Sequence, residues 1–234
     1  MKVCFLLLSS FAVAIFAAQP ASSPVDAIVE NYRAATQRQQ QVVKGASMEV
    51  EIAGTIPKLK KQGRLHALRH ITALGRITYE ALRFQGDDTV KKQVIAKYLQ
   101  AEQDSQEDPT IAVTPENYKF KFKGRSELEG RDVYVFQVTP KKKRDKLYKG
   151  DLWLDAATYL RVQESGYLVK NPSLVIRKVH FVRRYDIQDG ISVPRQLQSE
   201  MDTWVVGRVE LTVDYTNFSI DGAKRGVAVE ANDQ

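Results

Sequence analysis

Two groups of residues carry side chains whose types and spacing could do chemistry. His66 and His70 have the spacing of the zinc-binding histidines on a metalloprotease helix, but Ala67 stands where that motif has its catalytic glutamate. If the segment is a strand, the two imidazoles share a face about 13 Å apart, too far to bind one zinc ion. We therefore expect surface histidines here and no metal site.

Asp151, Asp155 and Glu164 form the other group, because paired carboxylates can act as acid and base in glycoside hydrolysis. Asp151 and Asp155 fall on one face of a strand whose hairpin tip follows at once, and an aspartate there more commonly stabilises the turn. The sequence has no Gly-x-Ser-x-Gly elbow and no phosphate-binding glycine loop, and its single cysteine is Cys4. We therefore expect a protein that is not an enzyme and that uses no cofactor.

Residues 1–20 have the composition of a secretory signal peptide: an early lysine, an apolar run and then small residues. We place its cleavage between Ala17 and Ala21. The alternative is a membrane anchor, but about 16 apolar residues are few for a bilayer span, which takes about 20. Cys4 precedes the apolar run, so we expect the mature chain to carry neither a lipid-modified cysteine nor a disulfide. The sequence predicts an exported protein.

The chain is basic, with 35 Lys and Arg against 28 Asp and Glu and a formal net charge of +7. An exported protein meets anionic lipid headgroups sooner than nucleic acid, so we expect no nucleic-acid partner. Lys141, Lys142, Lys143 and Arg144 form a basic loop. This loop either docks to an anionic membrane surface or is a solvated hairpin tip.

Two segments have the apolar spacing of amphipathic helices. In the first, Ser23 and the proline after it supply an N-cap and a first helical residue, and Gly45 stands where the helix should end. The second begins at Asp87 and continues to about Glu102, with a charged remainder beside its apolar stripe. It is inserted between strands, where it either covers the mouth of the sheet as a lid or packs as an ordinary helix.

Most of the remaining chain alternates apolar and polar residues with the period of two that is typical of antiparallel strands. The alternation is clearest at Tyr118, Phe120 and Phe122 against the lysines between them, and Asp189-Gly190 is a strong hairpin signal. The sequence predicts a mainly β fold with helices (α+β), built on one curved sheet. The predicted strands cover residues 46–56, 64–72, 76–85, 118–123, 132–139, 150–155, 159–168, 174–187, 191–201 and 204–218.

This order of parts resembles the periplasmic lipoprotein-sorting carriers of the LolA/LolB-like superfamily. The local motif of the resemblance is Gly150-Asp151-Leu152-Trp153-Leu154-Asp155 followed by Leu160-Arg161-Val162-Gln163-Glu164. The resemblance implies an unclosed antiparallel β-barrel of about 10 to 11 strands, with helices covering a concave apolar face. It implies a single half-barrel domain over residues 21–221, and we expect a flexible tail over 222–234.

The resemblance also implies a function. Members of that superfamily hold the acyl chains of a lipoprotein or lipid, so we expect a periplasmic carrier in outer-membrane lipoprotein sorting. Its partners would be inner- or outer-membrane transport proteins, and it would be a monomer. The alternative is an envelope-stress sensor that uses the same fold to detect lipidated ligands. A carrier has a physical purpose, because each exposed methylene of an acyl chain costs about 0.8 kcal/mol in water.

Large apolar residues on consecutive inward faces exceed what a packed sandwich needs, and we expect them to line a ligand cavity. The residues predicted for this cavity are Met48, Val50, Ile52, Phe120, Phe122, Phe181 and Tyr185.

Overall fold

The computed structural model describes residues 23–104 and 109–220. The predicted signal peptide over 1–20 and the predicted tail over 222–234 lie outside the described residues. No helix in the described part is long and apolar enough to cross a membrane.

The described strands form one ten-stranded antiparallel sheet with the order β3-β2-β1-β10-β9-β8-β7-β6-β5-β4. β3 and β4 are its edges and do not pair with each other, so the sheet is unclosed, as predicted. The first and last strands lie side by side in its interior. The strands are β1 Ala46–Ile56, β2 Lys61–Ile71, β3 Ile77–Gly86, β4 Tyr118–Leu128, β5 Arg131–Pro140, β6 Tyr148–Asp155, β7 Arg161–Leu168, β8 Ile176–Gln188, β9 Ile191–Thr203 and β10 Gly207–Ile220.

Turn chemistry fixes the register of the hairpins. Asp189 and Gly190, between β8 and β9, have φ angles of 50° and 74°, as the predicted two-residue hairpin requires. At the end of β6, Asp155 Oδ1 accepts hydrogen bonds from the amide nitrogens of Ala157 and Thr158 at 3.2 and 2.7 Å. Asp155 is therefore the turn-stabilising aspartate that the sequence predicted.

Helix α1 spans Pro24–Val42 and begins with a capping box. The Ser23 hydroxyl accepts from the Asp26 amide at 3.2 Å, and the Asp26 carboxylate accepts from the Ser23 amide at 3.3 Å. Only Tyr32 and Ala35 of this helix are completely buried. Its apolar stripe is therefore narrow, and most of its surface faces solvent.

The inserted helix consists of α2 (Asp88–Val90), one π turn (Lys91–Ile95) and α3 (Ala96–Gln103). It buries Val90, Val94, Ile95 and Leu99 against β1, β2 and β10. A glycine on β1 makes this approach possible, because a Cβ on Gly54 would lie 2.8 Å from Val90 Cγ1. The inserted helix thus packs directly on the sheet.

Two apolar segments predicted as strand are turns instead. Leu174 and Val175 precede β8, and Trp204 and Val205 lie between β9 and β10. The Thr203 hydroxyl closes the second turn by donating to the Gly207 carbonyl at 2.8 Å and accepting from the Val206 amide at 3.2 Å. This local hydrogen bonding outweighs the alternation, which had placed Val205 on an inward strand face.

Candidate ligand-binding face

Met48, Val50 and Ile52 lie on the concave face, where the sequence placed them. All three are almost fully buried in an apolar cluster that also contains residues of β2, β9 and β10. The inserted helix covers this cluster. We call it the aliphatic cluster.

Phe120 and Phe122 belong to a second group, the aromatic cluster, at the other end of the sheet. The ring centroids of Phe122 and Phe136 are 5.1 Å apart, and α1 contributes Tyr32, whose ring centroid lies 6.2 Å from that of Phe120. Phe120 and Phe122 themselves stay partly exposed under α1. The aromatic cluster is therefore the less tightly covered half of the face.

Phe181 contacts both clusters and marks the middle of the face. Its register partner on β7 is Gly166, and its ring packs edge-on against Tyr148, with centroids 5.0 Å apart. β6 and β7 come unusually close here, since a Cβ on Gly150 would lie 1.9 Å from the Ser165 carbonyl oxygen. The glycine of the sequence motif is thus explained by this close approach.

A charged network lies beside Phe181, centred on Glu164, whose side chain is only 1% exposed. Its carboxylate accepts hydrogen bonds from Arg161 at 3.2 Å, Arg183 at 3.3 Å and the Tyr185 hydroxyl at 3.0 Å. Tyr185 therefore holds a charged group and does not simply line an apolar wall. The network has two guanidinium groups for one carboxylate, an excess of one positive charge.

Burial opposes the ionisation of Glu164, but the charges of Arg161 and Arg183 and the hydrogen bond from Tyr185 more than offset it, so the pKa of Glu164 is lowered. The Arg183 side chain keeps 41% of its surface exposed. The nearby Tyr148 hydroxyl has no hydrogen-bond partner among the described residues, although Tyr148 is buried. The middle of the face thus offers an accessible cation and an unsatisfied hydroxyl.

A β-bulge assembles this network. Trp153 pairs with Gln163 and Leu154 with Arg161, which leaves Val162 as an extra residue on β7. Arg161 and Glu164, which regular alternation would place on opposite faces, therefore bond to each other. Arg183 needs no irregularity, because it alternates with Phe181 and Tyr185, and that signal was present in the sequence.

A second polar network fastens the inserted helix. Arg69 on β2 donates to Glu102 at 2.9 Å, and the Tyr79 hydroxyl donates to the same carboxylate. The Tyr98 and Tyr215 hydroxyls are hydrogen-bonded at 3.0 Å, and burial raises the pKa of Tyr215 to about 12. The inserted helix is thus fixed to the sheet by both apolar and polar contacts.

The residues considered for other chemistry do not form a site. Glu164 faces the helices, whereas Asp151 pairs with Lys123 at 2.8 Å on the other face. His70 lies 3.6 Å from Glu80 across β3. In residues 23–104 and 109–220, no group of three or more His, Cys, Asp or Glu side chains is placed to hold a metal ion.

Two clefts open on the surface. One, of about 460 Å3, lies between α1 and the turns at residues 157–160 and 189–191. The other, of about 760 Å3, lies between the turns that contain Lys170 and Trp204. Neither is lined by the residues predicted for the cavity, so the opening of the concave face to a ligand stays a prediction.

The basic loop of Lys141, Lys142, Lys143 and Arg144 is exposed between β5 and β6. Lys141 is partly held back, because its ammonium group donates to the Pro115 carbonyl. Membrane docking by this loop stays a prediction.

No protein-family model and no curated protein matches the chain. Similar solved structures include a DUF1329 family protein from Desulfovibrio piger, with a TM-score of 0.45 and 15% identity over 86% of this chain and 94% of that one. An outer membrane lipoprotein-sorting protein domain from Vibrio parahaemolyticus has a TM-score of 0.42 and 15% identity, over 82% and 92%. A LolA superfamily protein from Nitrosomonas europaea has a TM-score of 0.37 and 12% identity, over 83% and 92%. Structures of the superfamily that the sequence resembles are thus among those similar to this chain.

Proposed function

We propose that the protein is an exported, periplasmic carrier that holds the acyl chains of a lipid or lipoprotein on its concave face. The observation that carries this proposal is the unequal covering of that face. The inserted helix is packed and hydrogen-bonded to the aliphatic cluster, whereas α1 covers the aromatic cluster with only Tyr32 and Ala35 completely buried. Displacing α1 would expose a ready-made aromatic surface.

The attachment of α1 favours such a displacement. Its C-terminal half is pinned by Gln39, whose side-chain amide donates to the Ser192 carbonyl at 3.0 Å and accepts from the Ser192 amide at 2.9 Å. Toward the N-terminus, Val25, Ile28 and Val29 are only partly buried against the aromatic cluster. The helix can therefore swing about its C-terminal end while the sheet stays intact.

An acyl ligand would replace these contacts with larger ones. Each methylene that leaves water contributes about 0.8 kcal/mol, so a chain lying along Phe120, Phe122 and Phe181 offsets the loss of a few partly buried aliphatic side chains. The polar end of such a ligand would bind beside Phe181, where Arg183 and the Tyr148 hydroxyl are available.

Phe122→Lys tests the acyl site. A charge on the aromatic cluster should abolish binding of a fluorescent fatty-acid probe, while the partly exposed position keeps the protein folded. Leu74→Lys is the matched control, because Leu74 is 82% exposed in the turn between β2 and β3. Circular dichroism and thermal melting report folding. A folded Phe122→Lys protein that still takes up the probe would contradict the proposal.

Arg183→Gln tests the polar end. It should weaken binding of an anionic fatty acid about tenfold or more, roughly the value of one charge-assisted hydrogen bond, and leave a fatty alcohol unaffected. Arg184→Gln is the control, because Arg184 bonds Gln196 and Gln198 instead of Glu164, at 2.9 Å each. Equal losses for acid and alcohol would remove Arg183 from the site. Native mass spectrometry of the exported protein would then identify the cargo from its mass.

A further inference from the structure

Two turns at one end of the sheet expose large apolar side chains. Leu174 is 98% exposed and Val175 50%, and on the other turn Trp204 is 71% exposed and Val205 67%. The turns are joined by a hydrogen bond from the Trp204 amide to the Val175 carbonyl at 3.0 Å. These residues therefore form one surface, which we call the apolar tip.

Such a concentration requires an explanation, because single exposed apolar residues are ordinary but contiguous ones mark a surface that meets a partner. The tip serves no packing purpose, since none of its four side chains belongs to either cluster of the concave face. Its backbone is nevertheless ordered by the hydrogen bonds of Thr203 that close the turn. The apolar side chains are thus held outward on a defined support.

Basic residues surround the apolar tip. The Arg177 guanidinium stacks over the Trp204 ring at 4.5 Å, and Lys170 forms an ion pair with Asp145 at 3.0 Å. That ion pair brings the basic loop of residues 141–144 to the same end of the molecule, and the cleft of about 760 Å3 is lined by residues of both regions. Asp145 is the acid of this region and is already paired, so the surface around the tip carries excess positive charge.

Exposed tryptophan and aliphatic residues, rimmed by lysine and arginine, are the composition of surfaces that enter the interface of an anionic bilayer. A protein partner would not require this ring of cations, whereas anionic headgroups complement it. We propose that the apolar tip inserts shallowly into an anionic membrane, with Arg177, Lys170 and the basic loop bound to the headgroups. This docking is independent of the acyl ligand proposed for the concave face.

The tryptophans allow a direct test, since the chain contains only two. Trp153 is partly buried against Val133, Val135 and Val162, and Trp153→Phe leaves Trp204 as the single reporter. On addition of vesicles of phosphatidylglycerol and phosphatidylethanolamine, Trp204 emission should shift to shorter wavelength and be quenched by lipids brominated on their acyl chains. Vesicles of phosphatidylcholine should bind the protein at least tenfold more weakly. The unmodified protein should show the same quenching, which guards against disturbance by Trp153→Phe.

Leu174→Ser and Val205→Ser should each reduce binding to the anionic vesicles several-fold without changing the melting temperature. Leu74→Ser is the matched control: Ser47 pairs with both His70 and Ser219, so the Leu74 turn lies at the strand ends opposite to the tip. Binding that leaves Trp204 unquenched would overturn insertion and leave adsorption by charge alone. Equal effects of Leu74→Ser and Leu174→Ser would overturn the assignment to this surface, and absence of binding to any vesicle would overturn membrane docking altogether.

Discussion

Replacing Glu164 by glutamine should destabilise the protein strongly at neutral pH. The change removes the only negative charge of a network that contains two guanidinium groups, and it keeps the volume of the side chain. Breaking a fully buried ion pair costs about 3–5 kcal/mol. Arg161 and Arg183 are 28% and 41% exposed and can be rehydrated in part. We therefore expect a loss of about 2–3 kcal/mol in the free energy of unfolding.

The loss should depend on pH in a definite direction. The pKa of Glu164 is lowered from its ordinary value of 4.5, so the folded state favours the charged carboxylate. The stability that this charge contributes is complete above the unfolded pKa and is lost as the pH falls through the lower, folded pKa. The difference between wild type and Glu164→Gln should therefore be constant from neutral pH to about pH 5 and shrink in more acid solution.

Urea unfolding at a series of pH values measures this difference, provided that the slope with denaturant is the same for both proteins. Glu200→Gln is the control, because the Glu200 side chain is 59% exposed and lies 3.7 Å from Arg208. That exposed pair should contribute less than about 1 kcal/mol. A loss at Glu164 no larger than at Glu200, or one that persists unchanged in acid, would refute our account of the network.

Two further predictions concern the inserted helix and the basic loop. Gly54→Ala should destabilise the protein by about 1–3 kcal/mol, because its Cβ would meet Val90, and Val90→Ala in the same chain should recover part of the loss in urea unfolding; strictly additive effects would contradict the contact. Replacing Lys141, Lys142, Lys143 and Arg144 together by glutamine should weaken sedimentation with anionic liposomes at low salt and leave the circular dichroism spectrum unchanged, and unaltered sedimentation would make the loop a solvated tip.

The sheet could be predicted from sequence because its signals are local. The alternation of Phe120 and Phe122 with lysines defines a strand with one wet face, and Asp189-Gly190 defines a hairpin whatever surrounds it. The order of strands also follows simply, since most neighbours in the sheet are neighbours in sequence.

The candidate site could be predicted only in part, because its key contacts depend on register. The extra residue Val162 brings Arg161 to the face of Glu164, and no local pattern in β7 announces that bulge. The role of Gly54 likewise depends on the inserted helix lying directly above it. At Leu174 and Trp204 the alternation was misleading, since apolar residues kept for a surface resemble apolar residues kept for a core.

The pairing of β1 with β10 has a consequence for how the chain folds. Strands β1 to β3 form one set of consecutive hairpins and β4 to β10 another, and the backbone ladder between Ala46–Thr55 and Glu210–Ile220 joins them. Each set can form from contacts that are close in sequence and therefore quickly, whereas this seam must wait for residues more than 150 positions apart to meet. The inserted helix needs the same seam, because the aliphatic cluster beneath it draws side chains from both sets. Until the last strand is available, the two halves remain separate sheets with open edges, and the interval before they join is when the chain is most exposed to aggregation.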